Sequence, residues 1–295
     1  MSLRSIFQKW SLRTYLLFVP TFAVAVLVAF TLRHRAYNET FFVYGAYYVL
    51  ATMLGTCLIV WLSGPGESWS LRAWTAANLP GLVTTTAVSS AVLIAVPAAY
   101  RVLADEANLV GVSKNLYATQ TANFAVTGKW YFENYWNLNQ TIDRRPPLYP
   151  FLVSLLHALR GYHAENGFHT NAIILVLFVF ATYRLAKSLG GEVFGVAAAI
   201  LVATNPNTVV AARSAGFDLL GVFLLLVVVL SFHRYVEQPS PRGLALLALS
   251  MCLFMHVRVE SMGLVAVSLV MLVALRVVRR AHFNGYGLVY ALIPV

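Results

Sequence analysis

The feature that most constrains this chain is a recurring apolar run close to the ~20 residues an α-helix needs to cross a bilayer. Such runs fall at 14–32, 41–62, 79–100, 169–186, 190–206, 217–233, 243–256 and 260–276, and a last one starts near residue 285. A spanning helix satisfies its own backbone hydrogen bonds, which lipid cannot do. Composition agrees: 59% of residues are hydrophobic and 11% charged, against the roughly 25% charged of a soluble domain. Too few charges remain to coat a soluble surface. The fold class expected is therefore all-α: a polytopic transmembrane helical bundle of about eight or nine spans, with residues 1–295 forming one membrane domain.

The formal net charge is +10. On a soluble protein that would suggest nucleic acid; here the charges sit mostly in short loops, so the expected partners are membrane lipids and no nucleic acid. With the N-terminus in the cytoplasm, Arg72, the pair Arg184 and Lys187, the pair Arg234 and Arg242, and the cluster Arg276, Arg279 and Arg280 all fall inside. That is the distribution expected of cytoplasmic loops, with Arg33 and Arg35 as the exception. The polar segment 101–168 then becomes one long extracytoplasmic loop carrying juxtamembrane helices. Two spans, over 13–63, precede the rest. Cys57 and Cys252 lie in apolar stretches and suggest neither a disulfide framework nor a metal site. The first apolar stretch lacks a convincing cleavage site and reads as a retained span.

Five of the eleven acidic residues, Asp105, Glu106, Glu133, Asp143 and Glu165, fall in the 101–168 segment. Asp105-Glu106 follows the third span almost at once and holds carboxylates at the membrane surface. A carboxylate there can take a proton from an attacking hydroxyl, or hold a metal that does so; the alternative is an acidic pair marking a helix end. Leu109, Val112 and Leu116 have the spacing of an amphipathic helix lying on the membrane. Trp130-Tyr131-Phe132-Glu133-Asn134-Tyr135-Trp136 reads either as an interfacial aromatic belt or as a platform that stacks on sugar C–H faces. Arg144-Arg145-Pro146-Pro147-Leu148-Tyr149-Pro150 puts two cations before a proline-stiffened segment, placed to meet a phosphate or merely snorkelling to head groups. Arg213, Asp218, Arg258 and Glu260 lie near membrane depth, where ionisable groups are costly and function is the default expectation. The structural alternative pairs Arg213 with Asp218 and Arg258 with Glu260.

Signatures of soluble enzymes are missing. There is no glycine-rich phosphate loop ending in Lys-Ser or Lys-Thr, no dinucleotide fingerprint and no His-Glu-x-x-His. What the order of features does match is a family pattern. Asp105-Glu106 after an early span, then Arg145-Pro146-Pro147-Leu148-Tyr149-Pro150-Phe151-Leu152, resembles the Asp-Glu and basic-Pro-Pro-Leu-Tyr motifs of GT-C glycosyltransferases. Tyr183-Arg184-Leu185-Ala186-Lys187-Ser188-Leu189-Gly190 looks like their cytoplasmic turn. Thr204-Asn205-Pro206, Ala212-Arg213-Ser214 and Asp218 are similar to a later Pro, Ser-Arg, Asp segment. The likeness is to protein O-mannosyltransferases, the aminoarabinose transferases of lipid A and their bacterial relatives. It makes 79–295 a GT-C-like core that stops short of the family's later spans.

The resemblance implies a sugar donor on a polyprenyl phosphate, a lipid, glycan or protein hydroxyl as acceptor, inversion at the anomeric carbon, and a bacterial inner-membrane location with a periplasmic site. Asp105 is then the base, or holds a divalent metal in that role, with Glu106 beside it. Arg145, Arg213 and Arg258 are the candidates for the donor phosphate. Trp130, Tyr149, Asp218 and Glu260 are the candidates for substrate contact or for orienting partners. A transporter or flippase, or an inactive scaffold subunit, would explain the intramembrane charges but not the acidic and aromatic outer segment. In a background lacking Cys57 and Cys252, single cysteines test the orientation in intact cells. Gln120→Cys should react with an impermeant reagent and Arg279→Cys should be protected; the reverse pattern would invert the topology.

Overall fold

In the computed structural model, residues 35–63, 70–143 and 145–279 are described. The expected span at 14–32, the run starting near 285, Arg144 and Arg280 lie outside the described residues. The described chain is helix-rich. In order, the elements are α1 (Arg35–Leu62), α2 (Leu71–Ala95), α3 (Leu103–Thr119), β1 (Phe124–Tyr131), β2 (Asn134–Thr141), α4 (Leu148–Arg160), α5 (Asn166–Gly190), α6 (Glu192–Thr204), α7 (Pro206–Ala212), α8 (Asp218–Glu237), α9 (Pro241–Met255) and α10 (Ser261–Arg279).

Four of these, α1, α2, α5 and α8, are long and apolar enough to cross a membrane among the described residues. The bent pair α6–α7, turned by 65° at Asn205, makes five if it counts as one span. The chain is an integral membrane protein, while the figure of eight or nine spans is not reached within the described residues. The break at Asn205 has a local cause. Pro206 cannot donate to the preceding turn, and the Asn205 side chain accepts from the Asn207 N–H, at 2.9 Å, to start a new helix. Similarly, α2 begins eight residues before the expected 79, capped by the Ser70 hydroxyl, which accepts from the Ala73 N–H.

The membrane helices pack through small residues. On α2 the buried row is Asn78, Gly81, Thr85, Ser89 and Val92, at steps of three and four. On α6 it is Gly195, Ala199 and Ala203, at steps of four. Lipid supplies no hydrophobic drive between helices, so close backbone approach and dispersion do the work, and small side chains permit it. The Tyr183 ring from α5 fills the junction. A Cβ built on Gly81 would lie 2.1 Å from that ring, and one built on Gly195 would lie 2.8 Å from it. The Tyr183 hydroxyl donates to Glu192 at 2.7 Å, and the Lys187 ammonium bridges Glu192 and the Ala77 carbonyl, each at 2.6 Å. At the end of α1, where carbonyls lack helical partners, Arg242 donates to the carbonyls of Val60 and Trp61 at 3.0 and 2.6 Å, and the Ser63 hydroxyl shares the Val60 carbonyl.

At the opposite end of the bundle the 101–168 segment folds as a compact layer. Leu109, Val112 and Leu116 are buried, with α3 packed on α4; their stripe serves protein packing and not a membrane surface. The aromatic run is the turn of a β-hairpin, with Trp130 paired to Tyr135 across it. Phe132 and Glu133 form the turn at positive φ, and Tyr131, Phe132 and Trp136 are exposed. The hairpin is tied down by Lys114 over the Tyr135 ring, 3.7 Å from its centre, and by the Asn115–Asn123–Gln140 amide chain.

The glycine–tyrosine junction yields a controlled test. Gly81→Ala should lower the thermal unfolding midpoint in detergent, by an overpacking penalty of about 1–3 kcal/mol. Gly55→Ala, where an added Cβ meets nothing within 4 Å, should leave it unchanged or raised. Equal effects at both positions would contradict the packing described.

Candidate functional site

Three connections converge at the end of the bundle that carries the 101–168 segment: the α2–α3 link with the start of α3, the turn from α7 into α8, and the turn between α9 and α10. Glu106 joins the first two. Its side chain is buried and accepts from the backbone N–H groups of Arg101 at 3.3 Å, Val102 at 3.4 Å and Ala215 at 2.9 Å. A carboxylate one turn into α3 thus reaches back over the helix start, where N–H groups lack partners. It also clasps the turn ahead of α8. The same turn is held from behind by Asn171, whose amide donates to the Ser214 and Gly216 carbonyls at 2.7 and 2.8 Å. The third connection is stitched in by the Leu148 N–H, which donates to the His256 carbonyl at 3.2 Å.

Two charged groupings stand on this frame. In the first, Arg145 lies between two carboxylates. Its Nε donates to both oxygens of Asp143, at 2.9 and 3.0 Å, and its Nη1 lies 3.1 Å from Asp105. Burial works against this charge, yet the hydrogen bond and attraction of Asp143, and then Asp105, hold its pKa above the ordinary guanidinium value. Asp105 keeps 63% of its side chain exposed and is open to a reactant, whereas Glu106 next to it faces inward.

In the second grouping Asp218, at the start of α8, receives two guanidiniums. Arg101 bonds one oxygen and Arg258 the other, at 3.1 Å. The Asp218 hydrogen bond raises the pKa of Arg101 against burial. Arg258 also lies over the Phe217 ring, 5.3 Å from its centre, and stands 3.5 Å from the largely exposed Glu260. Of the two ion pairs weighed from sequence, Arg258 with Glu260 is present. Arg213 does not bond Asp218; it donates to the Val96 carbonyl at 2.6 Å and straps the end of α2. Tyr149 also departs from a substrate-contacting place. It is fully buried and donates to the Gly167 carbonyl at 3.0 Å. Trp130 sits on the hairpin. Among the described residues no three His, Cys, Asp or Glu side chains gather as a metal-ligand group.

Sequence reasoning did not single out Arg101, Asp143 or Asn171. A lone arginine after a span resembles a snorkelling residue, and Asn171 lies inside an apolar run where only its burial shows its purpose. An apolar groove of about 330 Å³ runs between α4, α5 and α8. Leu148, Leu152, Ile174, Leu220, Phe223 and Leu253 are among its walls. In sequence its walls come near the charges: Leu148 is three residues from Arg145, and Leu220 is two from Asp218, on the other face of α8.

Because Glu106 accepts only from N–H groups, Glu106→Gln should turn an acceptor into a donor facing donors. Unfolding in detergent should show a loss of about 1–3 kcal/mol, with little change for Asp105→Asn at its exposed site. Equal stabilities of Glu106→Gln and wild type would remove the clasp.

A family model described as dolichyl-phosphate-mannose-protein mannosyltransferase matches residues 144–295, just over half of the chain. No curated protein and no solved structure matches it.

Proposed function

The chain belongs to the dolichyl-phosphate-mannose-protein mannosyltransferase family, and from that premise we propose that it transfers a sugar from a polyprenyl-phosphate donor to an extracytoplasmic hydroxyl, with inversion. The observation that carries this reading is the pairing of carboxylates with guanidiniums where three connections meet, together with an apolar groove walled by the helices that start there, α4, α5 and α8. A polyprenyl-phosphate sugar has the same division, an isoprenoid chain beside a charged head. Thr170 and Ile174 lie in the first half of α5 and Leu177 at its middle, Leu220 and Leu224 in the first two turns of α8, and Leu253 in the last turn of α9. A chain lying along them brings its phosphate to the end of the bundle that carries Arg258.

In this reading Asp105 takes the proton of the acceptor hydroxyl. The acceptor oxygen forms its bond to the anomeric carbon from the face opposite the phosphate. The bond from that carbon to the phosphate oxygen breaks, and its electron pair leaves with the polyprenyl phosphate. Negative charge grows on that oxygen, so fixed cations stabilise the departing group. Arg258 supplies one. Arg145, shared between Asp143 and Asp105, chiefly holds the base in place. Glu106, Tyr149 and Arg213 position the frame, and Trp130 and Glu260 remain candidates for sugar or acceptor contact. The acceptor is a lipid, glycan or protein hydroxyl on the periplasmic side of a bacterial inner membrane, with the N-terminus cytoplasmic. A divalent ion held by Asp105 is the alternative form of the same proton-removing role.

The test is Asp105→Asn, assayed in proteoliposomes with a polyprenyl-phosphate sugar donor. General-base catalysis typically contributes about 10²–10⁴-fold, so turnover should fall by that order while the protein stays folded. Chelator and added divalent ions in parallel separate direct proton removal from metal-assisted removal. Near-normal turnover by the folded variant would refute the role of Asp105.

A further inference from the structure

We propose that Arg101 is a donor-phosphate residue, forming with Arg258 one two-guanidinium seat presented on Asp218. The proposal rests on the lipid-phosphate donor reading above. Within that reading it moves the phosphate from Arg145 to Arg258 and to Arg101, a residue that no sequence motif marks.

Local charge is the first argument. Arg145 is flanked by Asp143 and Asp105, one cation between two carboxylates within 3.1 Å, so that grouping carries a net charge of −1. Arg213 spends its Nε on the Val96 carbonyl. At Asp218 two guanidiniums meet two carboxylates, Asp218 between them and Glu260 3.5 Å from Arg258 with 75% of its side chain exposed, so the grouping is neutral. A phosphate oxyanion is repelled by the first grouping and not by the second.

Donor capacity is the second argument. A guanidinium carries five N–H groups, and Asp218 takes one from each arginine. The side chains of Arg101 and Arg258 are 42% and 45% exposed, so donors beyond those facing Asp218 and Glu260 can reach a ligand. By bonding one arginine through each oxygen, Asp218 keeps the two forks side by side. Phosphate favours such paired donors.

Rigidity is the third. The Arg101 backbone N–H is held by Glu106, and so is the N–H of Ala215, three residues before Asp218. A Cβ added to Gly216 would lie 3.6 Å from Glu106 and 3.8 Å from Arg101. Both ends of the Arg101–Asp218 bridge are therefore fixed before any ligand arrives. Cations held in advance lose no reorganisation energy as charge develops on the leaving phosphate. Leu220, in the same first turn of α8 as Asp218, lines the apolar groove, so a tail site lies at the same end of that helix as the seat. A lipid-linked phosphate would use both, a free one only the seat.

The experiment measures binding of sugar-free polyprenyl monophosphate to the full chain in nanodiscs, with polyprenol and inorganic phosphate as separate probes. Wild type should bind polyprenyl phosphate, and bind polyprenol and inorganic phosphate far more weakly. Arg101→Gln, which keeps a hydrogen bond to Asp218 but drops the charge, should weaken binding on the order of ten- to a hundredfold. Arg258→Gln should do the same, Arg101→Lys should recover part of the loss, and Arg145→Gln should change binding only a few-fold. Thermal midpoints show that each variant is folded. If folded Arg101→Gln binds like wild type while Arg145→Gln loses binding, the seat is at Arg145: the proposal is overturned and the donor reading survives. If inorganic phosphate binds as well as the lipid, the seat serves free anions and the proposal is again overturned. If wild type does not bind polyprenyl phosphate, the donor reading itself fails, and the proposal with it.

Discussion

The Glu106 carboxylate, accepting backbone N–H groups from two separate connections, holds the charged end of this protein together. A buried carboxylate is tolerable only where hydrogen bonds replace its water. Here they come from Arg101 and Val102 on one side and Ala215 on the other. The consequence is geometric. Residues 101–106 and 213–218 cannot move independently, so Arg101, Asp105 and Asp218 keep fixed relative positions. Adjacent carboxylates in one helical turn have thereby taken opposite tasks. Glu106 points inward and supports the frame, and Asp105 points outward, leaning on Arg145 and open to a reactant.

The membrane explains why so much organisation is concentrated at this end. Across the hydrocarbon the helices offer one another little but shape, which the small-residue faces of α2 and α6 and the Tyr183 ring provide. Specific polar chemistry can be built only where the helices stop. The break at Asn205-Pro206 and the short α9 both bring a connection to the level of the α2–α3 link. Arg101, Asp218 and Arg258 come from three different parts of the chain, yet they meet because all three connections end at one depth.

What could be read from the sequence follows from the strength of the local constraint. Spans were legible because lipid demands a long apolar run. Their edges were less so: α2 starts at Leu71 because Ser70 caps it, although Trp74, Thr75 and Asn78 look like loop residues. The β-hairpin was hidden, since its turn uses Phe132 and Glu133 at positive φ instead of an Asn-Gly or Asp-Gly pair. Asp105, Glu106, Arg145, Asp218 and Arg258 were visible as charges in unusual places, but apart from Arg258 with Glu260 their partners were not. The pairing of Arg101 with Asp218 joins residues 117 apart, and nothing in local spacing announces it. Tyr149 misled in the other direction. An aromatic beside a basic motif suggests ligand contact, whereas Tyr149 spends its hydroxyl on the Gly167 carbonyl inside the core.

The two charged groupings also suit opposite halves of one transfer. Proton removal from an acceptor is favoured near surplus negative charge, which Asp105 and Asp143 provide around Arg145. Departure of a phosphate is favoured near fixed cations, which Arg101 and Arg258 provide around Asp218. Separation keeps the carboxylate-rich side apart from the side with two guanidiniums, and the Glu106 clasp sets the two sides in a fixed relation. For an inverting displacement, in which nucleophile and leaving group approach the anomeric carbon from opposite faces, a base and fixed cations on separate connections suit the charge that develops.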